Sequence, residues 1–145
     1  MANTTGVSIQ FKTDLLTGTH SLTNSANVIN AALYLVTATI NSMTADYTAT
    51  GEVSGAGYSA RGVAVTHAVA PTNNGANSVG YWTPSASIAF GTVTLSTAFD
   101  TVLLYFNTDD NAIACWNFGS TTVNGGTFTI TMPANAYNTA LLQLG

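Results

Sequence analysis

Apolar positions along this chain follow two different periods. Val7, Phe11 and Leu15 fall at i, i+4 and i+8, the spacing of one helical face. Thr4 or Thr5 stands where a helix cap is needed, and Gly18 where a helix ends. Residues 1–6 are small and polar and read as an arm; residues 19–27 read as a polar connector. Near residue 30 the period changes to two. Leu33 and Leu35 alternate with Tyr34 and Val36, Val63 and Val65 restart the alternation, and Val93 and Leu95 repeat it. Phe128, Ile130 and Met132 alternate with Thr127, Thr129 and Thr131, the cleanest half-buried strand in the chain. Residues 102–106 are apolar without a break, which fits a central strand buried on both faces.

Turn chemistry separates these runs. Residues 44–62 read as an ordered loop with turns, and residues 71–80 as a loop around Asn73, Asn74 and Gly75. Turns are also expected at Gly91, at residues 107–111, and at Asn124, Gly125 and Gly126. Pro84 and Pro133 each close a strand, and Leu141, Leu142 and Leu144 make a last short element. Short strands at regular spacing predict an all-β fold: a single β-sandwich, immunoglobulin-like or jelly-roll-like, with a short N-terminal helix. The division is an arm and helix over 1–18 and a sandwich domain over 19–145. The expected core is Leu33, Leu35, Val63, Val65, Ile88, Val93, Leu95, Leu103, Phe128 and Ile130.

Composition narrows the function. The chain has 145 residues, of which two are basic and six acidic, so 6% are charged against roughly 25% in an average domain. Two cations cannot neutralise a phosphate backbone or form a polybasic membrane patch, so neither nucleic acid nor a membrane is an expected partner. A surface so poor in charge points to burial in an assembly, or to solubility carried by Thr and Asn. Cys115 is the single cysteine, so no intrachain disulfide is possible. The first residues lack the positive start and long apolar stretch of a signal peptide, so synthesis in a cytoplasm is expected.

Candidate chemistry is thin. Residues 6–13 sit in the frame of a phosphate loop, but Phe11 occupies a glycine position and would block the backbone cradle. Asn107, Asp109 and Asn111 have calcium-loop spacing, yet Ala112 and Phe118 stand where Gly and a bidentate Glu are required. His20 and His67 lie in no catalytic context, and Cys115 beside Trp116 reads as a small buried hydrophobe. No catalytic residue, cofactor or metal site is expected. Tyr47, Tyr58, Tyr81, Trp82 and Trp116 could form a sugar platform, or serve as core and loop anchors.

One pattern is more specific. Ala31, Ala32, Leu33 and Tyr34 are followed by Tyr47, Thr48, Glu52 and Val53, by Gly55, Gly57 and Tyr58, and by Arg61, Gly62 and Val63. Later come Asn117, Phe118 and Gly119, and then Gly126, Thr127, Phe128, Thr129 and Ile130. The chain resembles, over residues 9–133, small virion structural proteins of tailed bacteriophages, in which a Gly-Gly pair often closes the tyrosine loop; here Arg61 takes the first place. The resemblance implies a non-enzymatic virion part. A capsid decoration (cement) protein is expected, a homotrimer bound to the major capsid protein at the capsid surface. A head–tail or tail component, or a carbohydrate or host-surface binding module, is the alternative. Within the loop, Tyr47, Glu52, Tyr58 and Arg61 are expected to act as anchors, Glu52 by tying down backbone N–H groups or by pairing with Arg61, the alternative being a solvated Glu at the loop edge. Val7, Phe11, Leu15 and Leu16 are the candidate interaction residues. They dock either on their own sandwich or on a neighbouring subunit or the shell; in the second case removal of residues 1–18 leaves the sandwich folded.

Overall fold

Three runs that are apolar on both sides of the pleat, in Ile29–Leu35 (β2), Ile88–Phe106 (β6) and Ala112–Ile130 (β7), can be satisfied only in a sheet covered on both faces. The computed structural model, which describes residues 2–23 and 27–145, has that sheet at its centre. Its order is β1-β7-β6-β2-β3, with Gly6–Val7 (β1) and Val63–Ala64 (β3) at the edges, and every pairing is antiparallel. A second antiparallel sheet, in the order β4-β5-β8, joins Thr72–Asn74 (β4), Val79–Trp82 (β5) and Leu142–Leu144 (β8). The fold is therefore an all-β sandwich with one short helix, α1, at Ile9–Thr17.

The two faces of the central sheet are filled differently. Ile29, Ala31 and Leu33 of β2 with Val102, Leu104 and Phe106 of β6 pack against Phe11 of α1, Leu22, Trp82 and Leu142. The alternate residues Ala32, Tyr34, Leu103, Tyr105 and Cys115 pack against Ala38, Ile40 and Tyr47 from the long β2–β3 connection. Of the expected core, Leu33, Val65, Ile88, Val93, Leu95 and Leu103 are buried. Leu35, Val63, Phe128 and Ile130 are partly buried and pack against that core.

Several local expectations are corrected. Gly91 and the Asn124–Gly126 stretch are not turns. Gly91 (φ 71°) and Gly125 (φ 61°) lie within 19-residue strands, near register shifts between β6 and β7. A left-handed glycine that closes a hairpin also absorbs the extra residue of a bulge, so the two look alike in sequence. Residues 71–80 are not a plain loop, since β4 and the start of β5 form a hairpin there.

The N-terminal segment is not an arm. Thr4 N–H donates to the Ile40 carbonyl at 2.9 Å, and buried Asn3 accepts from Ile40 N–H and donates to the Leu35 carbonyl. Val7 does not share a helical face with Phe11, because it pairs with Ala114 in β1. The helix starts two residues later, and its cap is Ser8, whose Oγ accepts from Gln10 N–H at 3.1 Å. Gly18 ends it in the left-handed conformation, as its position in the sequence suggests.

Candidate functional site

The connection between β2 and β3 folds around one carboxylate. Glu52 accepts from Tyr47 Oη–H at 2.5 Å, from Tyr58 Oη–H at 2.8 Å and from the backbone N–H of Arg61 at 2.7 Å. Tyr58 Oη in turn accepts from Leu33 N–H at 3.0 Å, which ties the loop to β2. The four residues expected to anchor this loop, Tyr47, Glu52, Tyr58 and Arg61, are thus brought together. Glu52 holds the Arg61 backbone; the guanidinium pairs instead with Asp110 and donates to Asn107 Oδ1 at 3.1 Å. It also lies 4.4 Å from the Tyr47 ring centroid and 5.4 Å from that of Tyr105. Arg61 has φ 72° and Gly62 φ 71°, so this pair makes a left-handed turn. The hydroxyls of Tyr34 and Tyr105 fasten the same loop by donating to the carbonyls of Thr48 and Arg61, each at 2.7 Å.

Every tyrosine of this cluster is held neutral. Burial is the largest cause in each case, with the negative charge of Glu52 adding to it; the hydroxyls of Tyr34, Tyr47 and Tyr58 are pushed well above their ordinary value of 10.0, and that of Tyr105 is raised. Burial also pushes the Cys115 thiol from 9.0 up to about 11. A group whose folded pKa is raised contributes stability that is complete below its unfolded pKa and is lost as the pH rises toward the folded value. The domain is therefore expected to lose stability steadily from about pH 9 upward, with Cys115 leading and the tyrosines following. Thermal melts between about pH 8 and 11 check this, and a flat profile would be the contrary result.

The Glu52 carboxylate has three donors, so its removal leaves two tyrosine hydroxyls and a backbone N–H without their acceptor. Glu52→Ala is expected to cost about 2–3 kcal/mol, with Glu52→Gln milder, because the amide oxygen still accepts. Urea denaturation of the two variants measures the difference.

A second cluster, not foreseen from sequence, surrounds His20. Nδ1 lies 2.9 Å from Asp14 Oδ2 and Nε2 lies 2.7 Å from Asp109 Oδ2, while the ring stacks on Phe106 at 4.3 Å. Asn111 Nδ2 donates to Asp14 Oδ2 at 3.1 Å, and Gln10 Nε2 to Asp14 Oδ1 at 2.9 Å. Each ring nitrogen thus faces a carboxylate oxygen, and an N–H at that nitrogen donates to it. The cluster clamps α1 to the β6–β7 turn. It also engages Asp109 and Asn111, two of the residues with calcium-loop spacing, while the third, Asn107, accepts from Arg61. With both ring nitrogens engaged, His20 has no free nitrogen to take a proton from a nucleophile.

The remaining candidates stand apart from one another. Trp82 is buried, with Nε1–H donating to the Val69 carbonyl at 2.9 Å. Tyr81 and Trp82 belong to β5, Trp116 to β7, and Tyr47 and Tyr58 to the β2–β3 loop, so the five aromatics are spread over three elements. Cys115 Sγ is buried and lies 3.1 Å from the Thr4 carbonyl. Among the described residues no group of three His, Cys, Asp or Glu side chains is placed to hold a metal ion. No described helix is long and apolar enough to cross a membrane. Of the candidate interaction residues, Val7 and Phe11 face their own domain, while Leu15 is 42% and Leu16 90% exposed. No family model, curated protein or solved structure matches the chain.

Proposed function

We propose that this chain is a non-enzymatic structural protein of a tailed-bacteriophage virion, a decoration (cement) protein that stabilises the head shell. In this reading it works as a homotrimer on the capsid surface, with the major capsid protein as its partner. The observation that carries the assembly role is the fate of the charged side chains. Asp14 and Asp109 are engaged by His20, Arg61 by Asp110, Glu52 by two tyrosines, and Asp100 by Asn3 and Asn117. Among the described residues, only Lys12 and Asp46 have no side-chain partner. The outer surface is then mostly Thr, Ser, Asn and Ala, which a partner covers with little loss of ion hydration. The placement on a phage head rests on the resemblance of the tyrosine loop and the late Thr-rich strand. A loop fixed internally by Glu52 presents a rigid outer surface, so attachment carries little ordering cost.

Purified protein added to undecorated shells is the test. Saturable binding in many copies per particle, with a higher shell melting temperature, is the expected result. A few copies per particle would assign the chain to the head–tail axis. Glycan binding without shell binding would make it a surface-recognition module.

A further inference from the structure

The helix α1 carries an apolar knob beside an apolar hole. Leu16 is 90% exposed, and Ile9, seven residues earlier on the same helical face, is 45% exposed. Next to them a cavity of about 210 Å³ opens between α1 and the smaller sheet, walled by Phe11, Leu15, Tyr81, Trp82, Leu142 and Leu144. Its volume is ample for one aliphatic side chain. The charges around the two features are opposite. Lys12, exposed on α1 one turn from Leu16, is the cation that no described carboxylate engages. His20 also lines the cavity, and beside it stands Asp109, whose side chain is 42% exposed.

From this complementarity we infer that the occupant of the cavity is Leu16 of a second copy of this chain, with Lys12 of that copy approaching the Asp109 side of the rim. A chain of net charge −4 repels its own copies, and α1 is the place where it offers an unpaired cation to the exposed edge of Asp109, which keeps its contact with His20. Knob and hole lie on one helix, so every copy gives and receives. Two copies can exchange leucines about a two-fold axis, or several can close a ring. The contact stands independently of the virion reading, since it requires only free protein.

Light scattering coupled to size-exclusion chromatography, over a dilution series of the full chain, is the test. The native chain is expected to associate. Leu16→Glu at the knob and Leu144→Glu at the rim are each expected to weaken association by at least about tenfold, with unchanged circular dichroism. An equal mixture of the two variants should recover part of the lost association, because one retains the hole and the other the knob. Lys12→Glu should weaken association in the same direction. A native chain that stays monomeric at every concentration overturns the inference, and so do variants that associate as the native chain does. A monomer whose Leu16→Glu variant alone fails to bind shells would also overturn it, and would give the knob to the shell protein.

Discussion

Gly62→Ala is expected to be among the most damaging single substitutions in this chain, costing more than about 4 kcal/mol. Two effects combine there. Gly62 has φ 71°, where an L side chain is strained by roughly 1–2 kcal/mol. In addition, a Cβ at this position would lie 1.7 Å from the Ala31 carbonyl oxygen and 2.6 Å from its carbon. Those are backbone atoms of β2, held between β6 and β3 in the main sheet, so neither partner can move aside without breaking the pairing of Ala31 with Leu104. Gly18→Ala separates the two effects, because Gly18 has φ 68° with open space around the absent Cβ. It should cost only the conformational part. Urea denaturation of both variants gives the comparison. Equal costs would mean that the loop moves freely off β2, and that the Glu52 network does not fix it.

The same loop shows why part of the site is legible in the sequence. Glu52 reaches Tyr47, Tyr58 and Arg61 across separations of five, six and nine residues. Such contacts leave a local pattern of aromatics, glycines and one carboxylate. The His20 clamp leaves none, because Asp109 is brought to it by the β6–β7 hairpin and the polar residues around it resemble any solvated turn. A similar distinction applies to the fold. Alternation at Phe128, Ile130 and Met132 and the unbroken run at 102–106 report burial directly. The glycines inside β6 and β7 report only a left-handed backbone, which a turn and a bulge share. Val7 is misplaced for a related reason. Three apolar residues at helical spacing cannot show that the first of them is drawn into a strand by β7.

Deletion of residues 1–18 is expected to abolish cooperative folding, contrary to the expectation that the sandwich survives without them. Phe11 is fully buried against Phe106 and its neighbours, with ring centroids 6.3 Å apart, and Phe11→Ala alone should cost about 3–5 kcal/mol. Deletion also removes β1 from the edge of β7, Asn3 from its contacts with Leu35, Ile40 and Asp100, and Asp14 from the His20 clamp. Those losses together exceed the roughly 5–15 kcal/mol that holds a domain of this size. The truncated chain should therefore lack a thermal transition, whereas Leu16→Ala in dilute solution should melt within about 0.5 kcal/mol of the native chain. A folded truncated domain would show that α1 is an appendage whose burial adds little. Because truncation unfolds the chain, its loss of shell binding would say nothing about attachment. Substitution at exposed Leu16, which leaves the core untouched, separates attachment from folding.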